Sequence, residues 1–358
     1  MKRFLIIVLI LIILAGAGFL AWRYLRPVIV TPTPETSPPV NHGGGSTITV
    51  LSSEPIFDYW TSASGEIYYL AVTGQIYKLD ERGSETKLAS QAIPDLDSVR
   101  ASFNGAALVV AFGAGPNKTF SLFRVADATW EPLPEDVTAV SWDPERPRLA
   151  YFKDTGSASI LYLLDLTNGR TTEVIRLAQK DLGLEWLTPE EIYLTQKPSA
   201  RFAGSLWSLN LRSKSLRLIV REENGLMIRW GDRGKLGLKS TTAGRDIHLS
   251  LINNNNQSLR PVRLPPTLTS KCVFEGEIIY CAVPASIPSA AVLPDDYLKD
   301  RVYFSDGFRS WDTATGTVTA IPINQSAPVD AEKLTKLQNK LLFINRYDRK
   351  LYSLGIGN

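Results

Sequence analysis

The feature that most constrains this chain is a short strand–turn–strand stretch that recurs along its length. Residues 161–166, Leu-Tyr-Leu-Leu-Asp-Leu, form an apolar extended run, which is interrupted at Thr167-Asn-Gly-Arg170 and followed by a second extended run to Ile175. Such runs on either side of an Asn-Gly pair predict a β-hairpin with a tight turn. A single hairpin does not define a fold, so the constraint comes from its copies.

The copies predict a repeat architecture built only from strands. Successive starts are 46, 39, 45, 41, 61 and 43 residues apart, and most of these intervals are close to the length of a four-stranded propeller blade. Before each copy lie another apolar run and a shorter run that often contains an aromatic residue, and no helical periodicity follows residue 46. The copies begin at Ile76, Leu122, Leu161, Leu206, Ile247, Phe308 and Leu351.

The two ends of the repeat region predict how a ring would close. The last unit ends after its third strand, whereas a spare extended segment, residues 47–51, precedes the first unit. Pairing this segment with the last unit would complete the final blade and remove an open sheet edge. We therefore predict a seven-bladed β-propeller over residues 46–358, with an array of β-sandwiches as the alternative. The recurrent Trp60, Trp142, Trp186 and Trp230 are expected to fill the gaps between blades rather than to form a carbohydrate platform.

Some of these segments also resemble a known family. Val140-Ser-Trp-Asp-Pro144, the run at residues 148–152 and the hairpin at residues 161–169 resemble the WD40-like repeat of TolB-type propellers. The resemblance covers most of residues 46–358 and implies a scaffold, because repeats of this kind occur in binding proteins, periplasmic assembly factors and peptidases. The fifth unit departs from the pattern: Asn253 to Asn256 replace the Asp-x-x-x-Gly turn, which leaves its register open.

The N-terminal region predicts a membrane anchor. Residues 4–22 are nineteen uncharged and mostly apolar residues, long enough to cross a bilayer as a helix. We predict an anchor over residues 1–26, a Pro/Gly-rich linker over residues 27–45, and a single-pass cell-membrane protein whose C-terminal domain lies outside the cytoplasm. The alternative is a cleaved signal peptide, with Ala15-Gly-Ala17 as the cleavage pattern. The apolar run continues past that point to Trp22, which favours retention.

Composition argues against several classes of function. Four of the basic residues flank the apolar run, so the formal net charge of +3 leaves the remainder near neutral, and no nucleic-acid partner is expected. Two His and two Cys make a transition-metal site improbable, and no cofactor or nucleophile motif is present. His248 falls in the aromatic position of the repeated strand, where a packing role is expected. We therefore assign no catalytic, cofactor-binding or metal-binding residue.

The two cysteines predict a cross-strand disulfide. Cys272 and Cys281 flank Gly276-Glu277, and a type II′ turn at that pair would place the cysteines directly opposite each other at a non-hydrogen-bonded position. A disulfide would agree with an exported domain. The alternative is two buried free thiols.

The long interval between the fifth and sixth copies predicts an insertion. At 61 residues it exceeds the following interval of 43 by 18 residues, which we assign to residues 283–300, between the second and third strands of a blade. Such an insertion projects from one face of the ring, and its prolines and apolar residues suggest an exposed contact loop. We predict a partner-binding segment at Leu293, Pro294, Asp295, Asp296 and Tyr297, with the two aspartates in a solvated turn. The alternative is that the insertion packs over the channel or a neighbouring blade.

Together these features predict a monomeric, non-catalytic binding or scaffold module for a protein or a cell-envelope polymer. The alternative from another class is a cell-envelope hydrolase or lyase with acidic residues at the propeller channel. A sensor ectodomain is a third hypothesis, which is weakened because only residues 1–3 would lie inside the cell.

Overall fold

The computed structural model describes residues 46–80, 83–89, 91–114, 118–231, 234–324 and 327–357. The predicted anchor and linker, residues 1–45, lie outside the described residues. Among the described residues, no helix has the length and apolar character needed to cross a membrane.

The described chain folds into seven antiparallel sheets, which we number as blades 1 to 7 from the N-terminal side. In each of the first six blades, four consecutive strands pair in chain order, so that the first strand is innermost and the fourth is outermost. Blade 1 contains β2 (Ile56–Thr61), β3 (Ile67–Ala71), β4 (Ile76–Leu79) and β5 (Glu85–Ala89); blade 2 contains β6 (Leu96–Ala101), β7 (Ala107–Phe112), β8 (Thr119–Arg124) and β9 (Thr129–Pro132); blade 3 contains β10 (Val137–Trp142), β11 (Arg148–Asp154), β12 (Ser159–Asp165) and β13 (Thr171–Leu177).

The second half of the ring repeats this pattern with one insertion. Blade 4 contains β14 (Gly183–Thr188), β15 (Glu191–Thr195), β16 (Gly204–Asn210) and β17 (Leu216–Glu223); blade 5 contains β18 (Met227–Trp230), β19 (Leu236–Ala243), β20 (Asp246–Asn253) and β21 (Ser258–Arg260); blade 6 contains β22 (Cys272–Glu275), β23 (Ile278–Pro284), β24 (Asp306–Asp312) and β25 (Val318–Ile321); blade 7 contains β27 (Ala331–Leu337), β28 (Lys340–Asn345), β29 (Lys350–Gly355) and β1 (Ser46–Val50). A short strand, β26 (Ile323–Asn324), a 3-10 turn (Thr269–Lys271) and one helix, α1 (Asp295–Leu298), complete the described elements.

The N-terminal strand closes the ring as predicted. β1 pairs antiparallel with β29, with Ile48 opposite Leu354, and so supplies the outer strand that blade 7 lacks. On its other side β1 pairs in parallel with β26, where Ser46 lies opposite Ile323. Both ends of the repeat region are thereby tied into one sheet, which covers most of the edge that an incomplete blade would expose.

The core consists of apolar layers between blades. Each of the seven junctions, including that between blades 7 and 1, contains its own cluster of buried residues drawn from the two blades it joins. The four tryptophans predicted to fill these gaps do so, since Trp60, Trp142, Trp186 and Trp230 are buried in four different junctions. The alternating side chains of each strand therefore serve two neighbouring blades.

The hairpin at residues 161–175 is the corner between β12 and β13, as predicted, and its turn includes Asp165 as well as the Asn-Gly pair. The Asp165 carboxylate accepts a hydrogen bond from the Thr167 N–H at 2.8 Å, and the Gly169 N–H donates to the Asp165 carbonyl at 2.8 Å. Gly169 has a φ of +71°, whereas Asn168 does not adopt a positive φ. A side-chain hydrogen bond and one left-handed residue therefore shape the corner.

The fifth blade forms the same corner without glycine. The Asn253 side-chain oxygen accepts from the N–H groups of Asn255 and Gln257, and Asn256 takes the left-handed φ of +58°. When this corner is aligned with the others, the repeated strand of blade 5 starts at Leu249 rather than Ile247. A similar comparison places the blade 2 copy at Phe120 rather than Leu122. A shift of two residues preserves the in–out alternation of a strand, so the sequence pattern did not reveal it.

The predicted disulfide is present. Cys272 lies opposite Cys281 in the β22–β23 pair, and their sulfur atoms are bonded. Their Cα atoms are 4.2 Å apart, close to the spacing of a non-hydrogen-bonded antiparallel pair. Gly276 has a φ of +57° and Glu277 does not have a positive φ, as expected for the predicted type II′ turn.

Candidate interaction face and central channel

One face of the ring carries the loops that join second to third strands and the linkers that join successive blades. We call it the insertion face, because the connection between β23 and β24, residues 285–305, lies there. This connection, called the insertion below, interrupts blade 6 at the position predicted from the long repeat interval. It is the longest loop between strands within the described blades and contains α1.

The insertion is a packed element rather than an exposed loop. Leu293 and Tyr297 are only 2% and 4% exposed, and Pro294 is buried as well. Leu293, Tyr297 and Phe304 belong to one apolar cluster, which also includes Ile247 of blade 5. The expectation that Leu293, Pro294 and Tyr297 are exposed was therefore wrong, and the alternative, packing over neighbouring blades, describes the insertion.

The two aspartates of α1 also have structural partners. Asp295 accepts hydrogen bonds from the Ala200 N–H at 2.6 Å and the Ser199 hydroxyl at 3.2 Å, both in the loop between β15 and β16 of blade 4. Asp296 accepts from the Val292 N–H at 2.8 Å within the insertion. The predicted solvated turn was wrong, because both carboxylates are only partly exposed and hold backbone groups.

A cluster of buried charges lies beneath the insertion. The Lys271 ammonium group lies 2.8 Å from the Asp306 carboxylate and also donates to Asp330, and none of these three side chains is exposed. Lys271 also donates to the Tyr297 hydroxyl at 3.2 Å and lies 4.9 Å from the centre of its ring. One buried cation therefore joins the starts of blades 6 and 7 to the helix of the insertion.

A second buried cation, Arg346 in the loop between β28 and β29, holds the backbone of the insertion. Its guanidinium donates to the Asp330 carboxylate at 2.7 Å, to the Val302 carbonyl at 3.1 Å and to the Tyr297 carbonyl at 3.0 Å. It also lies 3.9 Å from the centre of the Tyr297 ring and binds the Asp300 carboxylate at 2.6 Å. Since an arginine presents several donors in a fixed plane, this side chain fixes several groups at once.

The buried cluster alters the acid–base properties of its members. Burial raises the pKa of the Asp306 carboxyl, against the opposing effect of the Lys271 ammonium group. Burial lowers the pKa of Lys271, but its electrostatic interactions with Tyr297, Asp306 and Asp330 outweigh this effect, so the net shift of the Lys271 pKa is upward. Lys271 and Arg346 therefore remain cations at neutral pH, and each needs its carboxylate partners.

The insertion covers part of the channel mouth. It contacts Met227 and Lys271 at the start of the inner strands of blades 5 and 6, Asp330 before the inner strand of blade 7, and Ala200 on blade 4. It therefore spans four blades on this face and lies over the inner ends of three of them.

Apolar side chains are exposed on the insertion face. Phe202 in the blade 4 loop is 77% exposed and follows the two residues that bind Asp295; Leu298 at the end of α1 is 48% exposed. Tyr347 is exposed beside Arg346, 5.5 Å from the Tyr303 ring centre, and Val72 is exposed on the blade 1 loop. Large exposed apolar residues on one face mark a candidate contact surface.

Polar residues line the middle of the channel. Three of these residues, Arg100, Glu185 and Arg229, lie at the same level on the inner strands of blades 2, 4 and 5. Each pairs with a residue of the second strand, which in turn pairs with a residue of the third strand. In all three blades that third-strand residue lies two positions before the end of its strand. Those pairs are Val109 with Leu122, Tyr193 with Ser208, and Leu238 with Leu251. Arg100 and Arg229 are exposed, and because neighbouring blades cover both faces of these strands, that exposure is to the channel.

The three residues act on each other electrostatically. Burial raises the pKa of the Glu185 carboxyl, and the charges of Arg229 and Arg100 oppose this rise. Neither guanidinium lies within 4 Å of a carboxylate oxygen of a described residue. Among the described residues, the Arg100 side chain donates only to the Val99 carbonyl, at 3.3 Å. Near the same channel, Lys333 of blade 7 pairs with Asp58 of blade 1 at 2.6 Å.

Sequence reasoning missed these clusters for a physical reason. Lys271, Asp306, Asp330 and Arg346 are far apart in the chain, and each is a single charge at the end of a strand without a motif around it. Their one shared signal is position: all lie at a strand end on the insertion face.

His248 is exposed on β20 and does not occupy the aromatic position, so its predicted packing role was wrong. Among the described residues, no group of three His, Cys, Asp or Glu side chains could hold a metal ion.

Comparison with solved structures supports the fold. An oligogalacturonate lyase from Vibrio parahaemolyticus is 9% identical, with 87% of this chain and 94% of that chain covered and a TM-score of 0.59. The β-propeller domain of Swd1 from Myceliophteria thermophila is 11% identical, with 87% and 100% covered and a TM-score of 0.55. TolB from Acinetobacter baumannii is 13% identical, with 83% and 78% covered and a TM-score of 0.44.

The tricorn protease is also similar, at 10% identity and a TM-score of 0.55, but this chain spans 34% of its length. No protein-family model and no curated protein sequence matches the chain. At these identities the comparisons show the fold alone, and the similar propellers include both a lyase and a protease. The chain is a seven-bladed β-propeller.

Proposed function

We propose that this protein is a non-catalytic binding module, held at the outer side of a cell membrane by residues 4–22, that captures a protein partner on its insertion face. The one observation that carries this proposal is that the insertion on that face is held in a single position by buried contacts. The insertion is fixed by buried ion pairs and carries the exposed Leu298, and its Asp295 binds Ala200 in the loop that carries the exposed Phe202. A free loop would not need this support, whereas a rigid contact surface does.

The chemistry of the exposed residues favours a protein over a polysaccharide polymer. Phe202, Leu298 and Val72 offer apolar area, and Tyr347 adds an aromatic ring with a polar end. Aromatic and aliphatic anchors with a polar rim are typical of protein interfaces. Of the predicted segment 293–297, the buried Leu293, Pro294 and Tyr297 would support this surface, and contact itself would fall on Leu298 and the neighbouring loops.

Site-specific photo-crosslinking in the cells that make the protein tests the proposal. A photoreactive amino acid at position 202 or 298 should give a discrete cross-linked protein band. The matched control is position 216, which is also an exposed leucine but lies on the outer strand β17. The same band from position 216, or no band from 202 and 298, would contradict the proposed contact face.

A second candidate function is a cell-envelope hydrolase or lyase, and the observation that favours it is the raised pKa of Glu185 in the channel. A carboxyl group that holds its proton more tightly than usual can act as a general acid. Incubation with cell-envelope polysaccharides, followed by measurement of new chain ends, tests this candidate. Cleavage that is lost in Glu185→Gln would favour the enzyme over the binding module.

A further inference from the structure

We propose that the middle of the central channel is a binding site for a carboxylate group, held between Arg100 and Arg229. The site is separate from the insertion face, and its occupant is defined by chemistry: a small dicarboxylate or the acidic side chains of an extended peptide. Both sources present the same group to the two guanidiniums.

The placement of the two arginines supports this site. They lie at one register level on the inner strands of blades 2 and 5, three steps apart in a ring of seven, so they face each other across the channel. Both side chains are exposed although the blades around them are closely packed. An arginine that served only to tie blades together would have a carboxylate partner within reach, as Lys333 has in Asp58.

The charge balance at this level favours an anion. Two guanidiniums and one carboxylate, Glu185, leave a local charge of about +1 when all three groups are ionised. The electrostatic attraction between these charges and an anion is strengthened by the low-dielectric walls of a channel. A guanidinium prefers planar, two-oxygen partners, which makes a carboxylate a better match than a halide ion. The residues at this level on the other four blades carry no charge: they are Trp60, Ser141, Val273 and Thr335.

The position of Glu185 gives the proposal a second, opposite prediction. A carboxylate on blade 4, beside Arg229 on blade 5, competes with an incoming anion for the same guanidinium and repels it. Removal of this charge should therefore strengthen anion binding, whereas removal of either arginine should weaken it. A residue that only maintained the fold would not produce both changes.

Titration calorimetry on the full-length chain in detergent, at low salt, tests the site. The probes are succinate, an acetylated and amidated tetraglutamate peptide, and neutral succinamide as the control ligand. We expect at least one acidic probe to bind, succinamide not to bind, and Arg100→Gln and Arg229→Gln each to weaken binding by about tenfold or more. Glu185→Gln should strengthen it by several fold. Arg176→Gln, an exposed arginine on the outer strand β13, is the matched control and should leave binding unchanged.

The two acidic probes distinguish the sources of the carboxylate. Binding of succinate alone would assign the site to a free small acid, and binding of the peptide alone to an acidic segment. The proposal is overturned if neither probe binds, or if the channel variants bind like the Arg176 control. Each variant's thermal unfolding midpoint is recorded, so that a change in affinity is compared among folded proteins only.

Discussion

Blades 3 and 6 contain the same four-stranded sheet, but different forces hold their loops. In blade 3 the corner between β12 and β13 is closed by local hydrogen bonds around Asp165 and Gly169, and Leu161 is fully buried in the apolar layer towards blade 4. In blade 6 the connection between the second and third strands leaves the sheet, crosses three other blades and is held by buried charges.

This difference separates scaffold from candidate site. Apolar packing is non-directional, and each blade of a repeat packs only against its two neighbours. Apolar layers and local turns are therefore sufficient to stabilise the ring. A buried ion pair contributes little net stability but is very sensitive to loss of one partner, so it fixes one arrangement of a segment. The insertion is therefore the part of the ring where a specific arrangement is enforced.

The largest effect is expected where the charge cluster is broken. Asp330→Asn removes the carboxylate shared by Lys271 and Arg346 and leaves two buried cations short of a partner. We expect a loss of roughly 3–5 kcal/mol in unfolding free energy, measured by urea denaturation. Asp97→Asn, which breaks the exposed pair with Lys118, is the control and should cost less than about 1 kcal/mol. Equal losses of unfolding free energy in the two variants would show that the buried charges do not hold the insertion more firmly than an exposed ion pair holds a loop.

Blade 3 should respond to a change in apolar packing instead. Leu161→Ala deletes a fully buried side chain in the junction of blades 3 and 4 and should cost about 3 kcal/mol in the same urea experiment. Because the insertion does not contact β12, this substitution should not accelerate amide exchange in the insertion more than in the strands of blade 6. Selective loss of protection in residues 292–305 of this variant would show that the two regions are not independent.

A smaller effect is expected at the far end of the insertion. Asp295→Ala removes the hydrogen bonds to Ser199 and Ala200 of blade 4 and should cost about 1–2 kcal/mol. Lys299→Ala, which removes only the exposed partner of Asp295, is the matched control. Faster exchange of the Ala200 amide in the first variant and not in the second would confirm the contact. Unchanged exchange at Ala200 would count against it.

The smallest effect concerns pH and the channel. The Glu185 carboxyl has a raised pKa in the folded protein, so the folded state binds its proton more tightly than the unfolded state. Its contribution to stability is therefore greatest below the ordinary glutamate pKa of about 4.3 and falls as pH rises through the folded value. Glu185→Gln should remove this fall, so the variant gains about 2 °C in thermal midpoint relative to the native chain between pH 4 and pH 7. A fall in the thermal midpoint of Glu185→Gln relative to the native chain over that pH range would contradict a raised Glu185 pKa.

Much of the fold was predictable, because a strand repeat leaves a periodic record in the sequence. The spacing of the copies, the spare strand at residues 47–51 and the Cys272–Cys281 pair each follow from local rules that the chain obeys. The exact starts in blades 2 and 5 were not predictable, since a shift of two residues keeps the alternation of side chains.

The candidate site was predictable only in its location. The length of one interval places the insertion, but whether Leu293 and Tyr297 face solvent depends on Lys271 and Arg346, which approach from other blades. The channel residues Arg100, Glu185 and Arg229 are far apart in the chain and reach one level of the channel only when the ring closes. Sequence patterns report local structure, whereas these contacts are set by tertiary packing.

Hydrogen–deuterium exchange of the native chain tests the central claim most directly, namely that the insertion is a fixed surface rather than a mobile loop. We predict that the amide of Phe304, which donates to Asp330, exchanges as slowly as those in the strands of blade 3, and that Asp330→Asn accelerates it while blade 3 is unchanged. Rapid exchange of the Phe304 amide in the native chain, at the rate of an open loop, would contradict the account.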